Sequence, residues 1–227
     1  MLVQGVVFDL DGTLADTLAD LTDAVGVGLR QLGYPPRPAH EVRQWIGEGM
    51  MILCRRAIAA AAPPGATADD QTVAAMAAAF TDHYRAHRLD KTVPYPGIPE
   101  LLDALAARGL KLAVFSNKPH DHTVALMDAL FDRWSWSVVE GSREDRPRKP
   151  DPAVGREVLA LMGLQPRQVL MVGDSAIDVQ TAKNVGAVAV GVTWGFRDRA
   201  ELLAASADHI IDRPTDLLTL ITPEGVV

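Results

Sequence analysis

Two aspartates at the end of an apolar segment are the residues of this chain best suited to catalysis. Asp9 and Asp11 follow Val6-Val7-Phe8, whose β-branched and aromatic residues predict a buried strand of a parallel sheet. Side chains two positions apart on an extended chain point to the same side, so both carboxylates can face one crevice. A carboxylate nucleophile needs a second carboxyl group as proton donor and acceptor. The alternative is structural, because Asp11-Gly12 is a turn signal and turn aspartates bond nearby amides.

A hydroxyl and an ammonium group occupy comparable positions further along the chain. Ser116-Asn117-Lys118 follows the apolar residues 112–115, which predict a strand, so this hydroxyl and nearby amides are expected at the carboxyl edge of the sheet. Lys149 lies in a loop stiffened by Pro150 and Pro152, just before a predicted helix. Ordinary interpretations exist for both, since Ser-Asn is a common turn and surface lysines are usually solvated.

A second pair of acids follows another apolar segment. Residues 169–172 predict a buried strand, and Gly173-Asp174 and then Asp178 come directly after it. In a helix, the spacing of four residues would stack Asp174 and Asp178 on one face, where oxygen ligands can hold a hard cation. The alternative is that Asp174 caps the helix and Asp178 is a favourable acid in its first turn.

The elements that must position these residues alternate between strands and helices from Tyr95 onward. Strands are predicted over 110–115, 137–140, 168–172 and 187–192, and helices over 99–108, 121–130, 152–162 and up to 185. This alternation implies right-handed crossovers and a parallel sheet covered on both faces. Residues 16–93 show only helical patterns. The first strand therefore belongs to an α/β body, and a helical insertion follows it.

Composition and charge narrow the classes of function. The chain has 227 residues, of which 48% are hydrophobic and 22% charged, and its net charge is −7. This balance argues against nucleic acid and anionic membranes as partners, because both bind basic surfaces. The single cysteine, Cys54, excludes an internal disulfide and fits a reducing compartment. No segment predicts a signal peptide or a membrane span, and we expect a cytoplasmic protein.

The four polar segments, taken together, resemble the motifs of the haloacid dehalogenase-like hydrolases. That family carries Asp-x-Asp-Gly-Thr, then Ser or Thr after a strand, then Lys, and finally Gly-Asp with a further Asp. Here Asp9 to Thr13, Ser116, Lys149, and Asp174 with Asp178 stand in that order, within residues 3–192. The resemblance implies a Rossmann-like doubly wound parallel sheet core, residues 1–15 and 94–227, with an inserted all-helical cap domain, residues 16–93.

The resemblance also implies catalytic and metal-binding roles. Asp9 resembles the nucleophile, which forms an aspartyl-phosphate, and Asp11 resembles the general acid and base. The implied cofactor is Mg²⁺, with Asp9, Asp174 and the backbone carbonyl of Asp11 as ligands. Asp178 would hold a metal-bound water or orient Lys149. Asp11 favours phosphoryl transfer, because the family's dehalogenases lack an acid at that position.

The substrate-binding residues that the resemblance implies are Thr13, Ser116, Asn117, Lys149 and Arg56. The insertion is similar to the small cap of the phosphoglycolate phosphatase and β-phosphoglucomutase group, and Ile46-Gly47-Glu48-Gly49 before Arg56 looks like the phosphoglycolate phosphatase cap. Arg56 would contact a substrate carboxylate or position the cap. The alternatives are that the glycines form a structural turn and that Arg56 is solvated.

The implied enzyme is thus a phosphoric monoester hydrolase that acts on a small phosphorylated metabolite, most like 2-phosphoglycolate. A pyrophosphatase, a sugar or nucleotide phosphatase and a β-phosphoglucomutase-like phosphomutase would use the same motifs. A receiver-like phosphoacceptor module also pairs acids, a hydroxyl and a lysine around Mg²⁺, although a helical insertion of this size is not expected in one. A catalytically silent binding protein is disfavoured by the retention of Asp9, Asp11, Lys149 and Asp174. Both a monomer and a homodimer fit the sequence.

Overall fold

The computed structural model describes residues 2–63 and 68–221. Its helices are Leu18–Gln31 (α1), Ala39–Trp45 (α2), Met50–Ala61 (α3), Asp70–His87 (α4), Ile98–Ala107 (α5), His120–Leu130 (α6), Pro152–Leu161 (α7), Ala176–Val185 (α8) and Arg199–Ala204 (α9). Its strands are Gly5–Phe8 (β1), Ala15–Asp16 (β2), Val93–Pro94 (β3), Lys111–Pro119 (β4), Trp136–Ser142 (β5), Val169–Gly173 (β6), Val188–Val192 (β7) and His209–Ile211 (β8). Two 3₁₀ segments span Pro166–Gln168 and Pro214–Thr219.

Six of the strands form one parallel sheet in the order β5-β4-β1-β6-β7-β8. The first strand lies in the middle, where Phe8 is in register with Val114 of β4 on one side and with Val172 of β6 on the other. The chain builds outward from β1 to β5 on one side and then from β6 to β8 on the other. The strand order therefore reverses between β1 and β6, which is the position where doubly wound sheets bind ligands.

Both faces of this sheet are covered, and the period of two along each strand explains how. Val6, Phe8 and Val172 pack on the face covered by α5 and α6, whereas Val7 and Met171 pack on the face covered by α7, α8 and α9. Continuous apolar strands are expected when both faces are buried. The predicted fold class, a doubly wound parallel sheet with a helical insertion, is confirmed.

The chain divides into two compact units, Met1–Asp16 with Pro94–Val227 and Thr17–Val93. In the second unit, α1 packs against α4 through apolar side chains at helical spacing: Leu21, Val25, Leu29, Val73, Met76 and Phe80. The buried Asp20 carboxylate accepts hydrogen bonds from the backbone amides of Lys91 and Thr92, at 3.1 and 2.9 Å, which ties the end of the unit to its first helix. No helix in the described part of the chain has the length and apolarity needed to cross a membrane.

Most of the predicted elements agree with the structure within one or two residues, and two differences bear on the site. The sequence predicted that Ser116, Asn117 and Lys118 follow the strand. In the structure β4 continues to Pro119, so these residues lie within its last part. Helix α8 begins at Ala176 with Ser175 as its N-cap. Asp174 therefore precedes the helix, and the predictions that it stacks with Asp178 on a helical face or caps the helix are both wrong.

Candidate active site

The predicted site residues of the sheet-containing unit meet at the carboxyl ends of the three central strands. Asp9 directly follows β1, and its backbone amide donates to the carbonyl of Val172 in β6 at 2.9 Å. Asp174 directly follows β6, and Ser116 lies near the end of β4. Because neighbouring parallel strands end at the same edge, the sheet topology brings together residues more than 100 positions apart in the sequence.

Three carboxylates form an acidic cluster at this edge. Asp9, Asp174 and Asp178 each offer an oxygen atom within 4.8 Å of the other two. Asp174 and Asp178 are buried, and Asp9 is largely so, with 13% of its side chain exposed. Charges held this close with little access to water repel each other strongly. The cluster therefore requires positive charge.

Lys149 supplies part of that charge, because its ammonium contacts two of the three carboxylates. Its ammonium nitrogen lies 2.6 Å from Asp178 Oδ1 and 3.0 Å from Asp9 Oδ1. Asn117 positions this lysine, because its amide nitrogen donates to the Lys149 carbonyl at 3.1 Å and its amide oxygen accepts from the Lys149 backbone amide at 2.9 Å. The predicted substrate-binding residue Asn117 is thus engaged with the lysine loop.

Asp178 is held by the start of α8 as well as by the lysine. Its Oδ2 accepts hydrogen bonds from the Ser175 hydroxyl at 2.6 Å and the Ser175 backbone amide at 3.1 Å, which forms a capping box. With Oδ1 on Lys149, both oxygens have partners within the protein. This arrangement suits Asp178 to orienting the lysine.

Burial raises the pKa of two of these acids. The pKa of Asp9 rises to about 6, chiefly through burial, with repulsion from Asp178 and Asp11 adding to it and Lys149 opposing it. The pKa of Asp174 rises to about 8 through burial and repulsion from Asp178 and Asp9. Burial alone would lower the pKa of Lys149, but attraction to Asp178 and Asp9 raises it above the usual range. The lysine therefore stays charged while Asp9 and Asp174 resist ionisation.

The carboxylates fit a divalent cation. Asp9 Oδ1 is buried and, apart from the ion pair with Lys149, has no hydrogen-bond donor in good geometry within the described structure. Asp174 and Asp178 approach it closely, and hard oxygen ligands of this kind suit Mg²⁺. A divalent ion would offset the repulsion that adds to the burial-driven rise in the pKa of Asp9 and Asp174. Asp9, Asp174 and Asp178 are the residues that could hold it, and of these Asp178 also pairs with Lys149 and Ser175.

We predict that stability without divalent ions falls as pH rises from about 4 to about 8. The folded-state pKa of Asp9 and Asp174 lies above the ordinary carboxyl value, so the folded protein binds more protons than the unfolded chain in this range. Thermal unfolding in EDTA should show Tm lower by roughly 5 °C or more at pH 8 than at pH 5, and Mg²⁺ should raise Tm more at pH 8. Asp174→Asn should flatten the pH dependence. A Tm that rises from pH 5 to pH 8 in EDTA would contradict this assignment.

Two further loops hold Asp174 in place. The Phe196 backbone amide donates to Asp174 Oδ2 at 2.6 Å, and the Thr13 hydroxyl lies 3.4 Å from Asp174 Oδ1. The Trp194 indole donates to the Thr13 carbonyl at 3.0 Å, which links the loop after β7 to the loop after β1. Thr13, a predicted substrate-binding residue, is fully buried and touches this acid. The sequence analysis gave Phe196 and Trp194 no role of their own, because one acts through its backbone amide and the other supports a loop.

The absence of a side chain at Gly195 allows these loops to approach each other. A Cβ atom there would overlap the Gly12 carbonyl oxygen and the Asp174 Cβ atom, and would lie 2.6 Å from Asp174 Oδ2. Backbone and a short, tethered carboxylate cannot move aside cheaply. An alanine at this position must therefore displace Asp174 or the loop that carries Phe196.

We accordingly predict that Gly195→Ala lowers kcat/KM roughly 10- to 100-fold and raises the Mg²⁺ concentration needed for half-maximal activity, because misplacement of a site residue by about 1 Å has effects of this size. Titration of activity with Mg²⁺ measures both. Gly109→Ala is the control, since a Cβ there would meet nothing within 4 Å; its φ is positive, at +71°, so this variant carries backbone strain but no collision. It should cost about 1 kcal/mol of stability and leave kcat/KM unchanged. Equal kcat/KM in the two variants would show that Gly195 does not place Asp174.

Asp11 and Lys118 form a second ion pair at the site. The Lys118 ammonium lies 3.0 and 3.1 Å from the two carboxylate oxygens of Asp11, and only 3% of its side chain is exposed. The sequence analysis assigned no role to Lys118. One signal was present, because a spacing of two residues along β4 places it on the same side as Ser116. Ser116 itself hydrogen-bonds the Asp9 side chain, and its hydroxyl accepts from the Lys118 amide at 3.3 Å.

Arg56 belongs to the helical unit and has partners there. Its guanidinium forms an ion pair with Glu48 and donates to the Trp45 carbonyl at 3.4 Å. Arg56 thus ties α3 to the loop that contains Gly47 and Gly49. The neighbouring Arg55 faces away, toward Asp70 and the Ala68 carbonyl.

The doubly wound sheet and the cluster of acids and lysine define an α/β protein. Its site lies at the switch point of the sheet, where the strand order reverses between β1 and β6. A model of the haloacid dehalogenase-like hydrolases matches residues 3–186. The chain is 39% identical over 212 residues to the phosphoglycolate phosphatase of Pseudomonas putida, covering 91% of this chain and 75% of that protein. It is 41% identical over 194 residues to the phosphoglycolate phosphatase of Rhodospirillum rubrum, covering 85% of this chain and 80% of that protein.

A solved structure agrees with these sequence relatives. The crystal structure described as a predicted phosphoglycolate phosphatase from Haemophilus somnus superposes with a TM-score of 0.90 at 30% identity, covering 97% of this chain and 98% of that one. The chain belongs to the haloacid dehalogenase-like hydrolase family. The predicted family and the prediction of an enzyme of the phosphatase class are thereby confirmed.

Proposed function

We propose that this protein is a Mg²⁺-dependent phosphatase that hydrolyses 2-phosphoglycolate through an aspartyl-phosphate on Asp9. The observation that carries this proposal is the meeting of Asp9, Asp174, Asp178 and Lys149 at the switch point of the sheet. The relatives named phosphoglycolate phosphatase support the choice of substrate.

Two carboxylates perform the chemistry in this proposal. An Asp9 oxygen attacks phosphorus, and the bond between phosphorus and the leaving oxygen breaks while Asp11 gives that oxygen a proton. Asp11 then takes a proton from water as the water attacks phosphorus. The bond from phosphorus to Asp9 breaks, which releases inorganic phosphate, restores the Asp9 carboxylate and leaves Asp11 protonated, as it was at the start.

The remaining residues of the cluster bind and orient. Lys149 and Ser116 would hold phosphoryl oxygens, with Asn117 fixing the lysine loop and Thr13 fixing Asp174. Asp9, Asp174 and the backbone carbonyl of Asp11 would bind Mg²⁺, and Asp178 would orient Lys149. When bound, the ion would neutralise charge on the transferring phosphoryl group.

The helical unit would act as a cap, corresponding to the domain division predicted from the sequence at residues 16–93. A cap of this kind excludes water and selects substrates. Arg56 would serve it either by contacting the substrate or by holding the Gly47 to Gly49 loop through Glu48. The enzyme would work in the cytoplasm on a small phosphorylated metabolite. The free thiol of Cys54, buried with its pKa raised to about 12 by burial, is unreactive and takes no part.

A panel of phosphate esters tests the substrate. Phosphate release should be measured with 2-phosphoglycolate, glucose 6-phosphate, β-glucose 1-phosphate, a nucleoside monophosphate and pyrophosphate, with Mg²⁺ and with EDTA. We expect the highest kcat/KM for 2-phosphoglycolate and loss of turnover in EDTA. A preference for another ester would overturn the choice of substrate, and conversion of β-glucose 1-phosphate to glucose 6-phosphate without phosphate release would identify a mutase.

A further inference from the structure

The placement of Lys118 is not explained by the steps proposed above. Its ammonium is buried against both oxygens of Asp11, the residue that would protonate the leaving group. Within the described part of the chain, Lys118 and Lys149 are the two buried lysines. Lys149 lies between Asp9 and Asp178, on the side of the nucleophile, whereas Lys118 lies at the proton donor.

We propose that Lys118 binds an anionic group on the leaving-group side of the substrate, which for 2-phosphoglycolate is its carboxylate. This inference rests on the proposed function and assigns the residue that selects the substrate. The sheet-containing unit alone provides the position, since both Lys118 and Asp11 belong to it.

Reaction geometry places the two groups together. The leaving oxygen must come within hydrogen-bond distance of an Asp11 oxygen to receive its proton. The Lys118 ammonium is already 3.0 and 3.1 Å from the Asp11 oxygens. In 2-phosphoglycolate the leaving oxygen and the carboxylate are separated by a single methylene carbon. A carboxylate attached so closely to the leaving oxygen lies within reach of that ammonium.

Charge leads to the same assignment. A buried ammonium needs an anionic or hydrogen-bonding partner, and in the structure Asp11 provides it. A substrate carboxylate can take over this role, so that Lys118 remains paired while an Asp11 oxygen turns to the leaving oxygen. A substrate whose leaving group carries no anionic substituent cannot replace Asp11 as the partner of Lys118. The pair thus favours substrates that carry an anion next to the scissile bond.

The test compares two esters that differ only in this group. Ethyl phosphate has a methyl group where 2-phosphoglycolate has its carboxylate. We expect Lys118→Met to lower the ratio of kcat/KM for 2-phosphoglycolate to that for ethyl phosphate by about 10- to 100-fold, as expected for loss of a charged hydrogen bond. Lys118→Arg should retain a larger part of the ratio, and most of the loss with 2-phosphoglycolate should appear in KM.

Lys111→Met is the matched control, because Lys111 lies on the same strand at its opposite end and is exposed. It should keep the wild-type ratio. If Lys118→Met lowers kcat/KM for both esters by the same factor, Lys118 acts only on Asp11 and the inference is overturned, while the proposed function stands. If the wild-type enzyme shows no preference for 2-phosphoglycolate over ethyl phosphate, the proposed substrate fails and the inference fails with it.

Discussion

Asp9→Asn is expected to abolish phosphate release, with kcat lower by about 10,000-fold or more, as for other residues that form covalent intermediates. An asparagine amide cannot attack phosphorus, and no neighbouring acid can replace it. Asp174 and Asp178 approach Asp9 closely, but Asp178 is held on Lys149 and Ser175, and Asp174 is held by the Phe196 amide. Steady-state assays with 2-phosphoglycolate and Mg²⁺ measure the effect.

Folding of this variant provides the control. Burial and repulsion raise the pKa of Asp9, so a neutral side chain at position 9 removes a charge that the apo protein tolerates poorly. The Tm of Asp9→Asn in EDTA at pH 8 should therefore equal or exceed the wild-type value. Full turnover by the folded variant would rule out a covalent mechanism at Asp9.

Lys149→Met is the second change with a large expected effect, and it should lower both activity and stability. The substitution removes the ammonium that lies between Asp9 and Asp178 and leaves buried carboxylates uncompensated. Removal of one partner from a buried ion pair costs about 3–5 kcal/mol. Without divalent ions, urea unfolding at pH 8 should show a loss of this order, with a smaller loss at pH 5, where more of the acids are protonated. The loss of kcat should exceed about 100-fold, because in the proposed mechanism Lys149 would also bind the phosphoryl group.

A double-mutant cycle separates this charge effect from lost packing. Adding Asp178→Asn to Lys149→Met removes one of the stranded charges and should restore a substantial part of the stability at pH 8. Lys183→Met is the matched control, because Lys183 is 40% exposed and lies 4.0 Å from Asp208. It should change stability by less than about 1 kcal/mol. Equal losses for Lys149→Met and Lys183→Met would contradict the charge balance described for the cluster.

The sequence predicted the parts of the site that depend on strand ends. Asp9, Ser116 and Asp174 each stand at or near the end of an apolar strand, and parallel strands bring their carboxyl ends to one edge. That reasoning needs no atomic detail, because the apolar runs that predict strands and the turn residues that end them are both read from short stretches of sequence. The doubly wound fold followed from the same alternation of strands and helices.

What the sequence did not predict depends on where a helix begins and on which side chains pair across the sheet. The four-residue spacing of Asp174 and Asp178 suggested a shared helical face, but Ser175 is the N-cap of α8 and leaves Asp174 in the preceding loop. The pairing of Lys118 with Asp11 joins residues 107 positions apart and has no local pattern. The hydrogen bonds of Asn117 to the backbone of Lys149 join residues 32 positions apart, and the sequence did not predict them. Such contacts are set by tertiary packing.

The most direct test of covalent chemistry at Asp9 uses the Asp11→Asn variant with p-nitrophenyl phosphate and Mg²⁺. This leaving group needs no proton, so the first step should proceed while attack by water is slowed. The account predicts a burst of p-nitrophenol equal to the enzyme concentration. It also predicts that borohydride reduction of the acid-quenched protein yields homoserine at position 9 in peptide mass spectra. A burst with homoserine at another aspartate, or steady turnover with Asp9 unmodified, would contradict it.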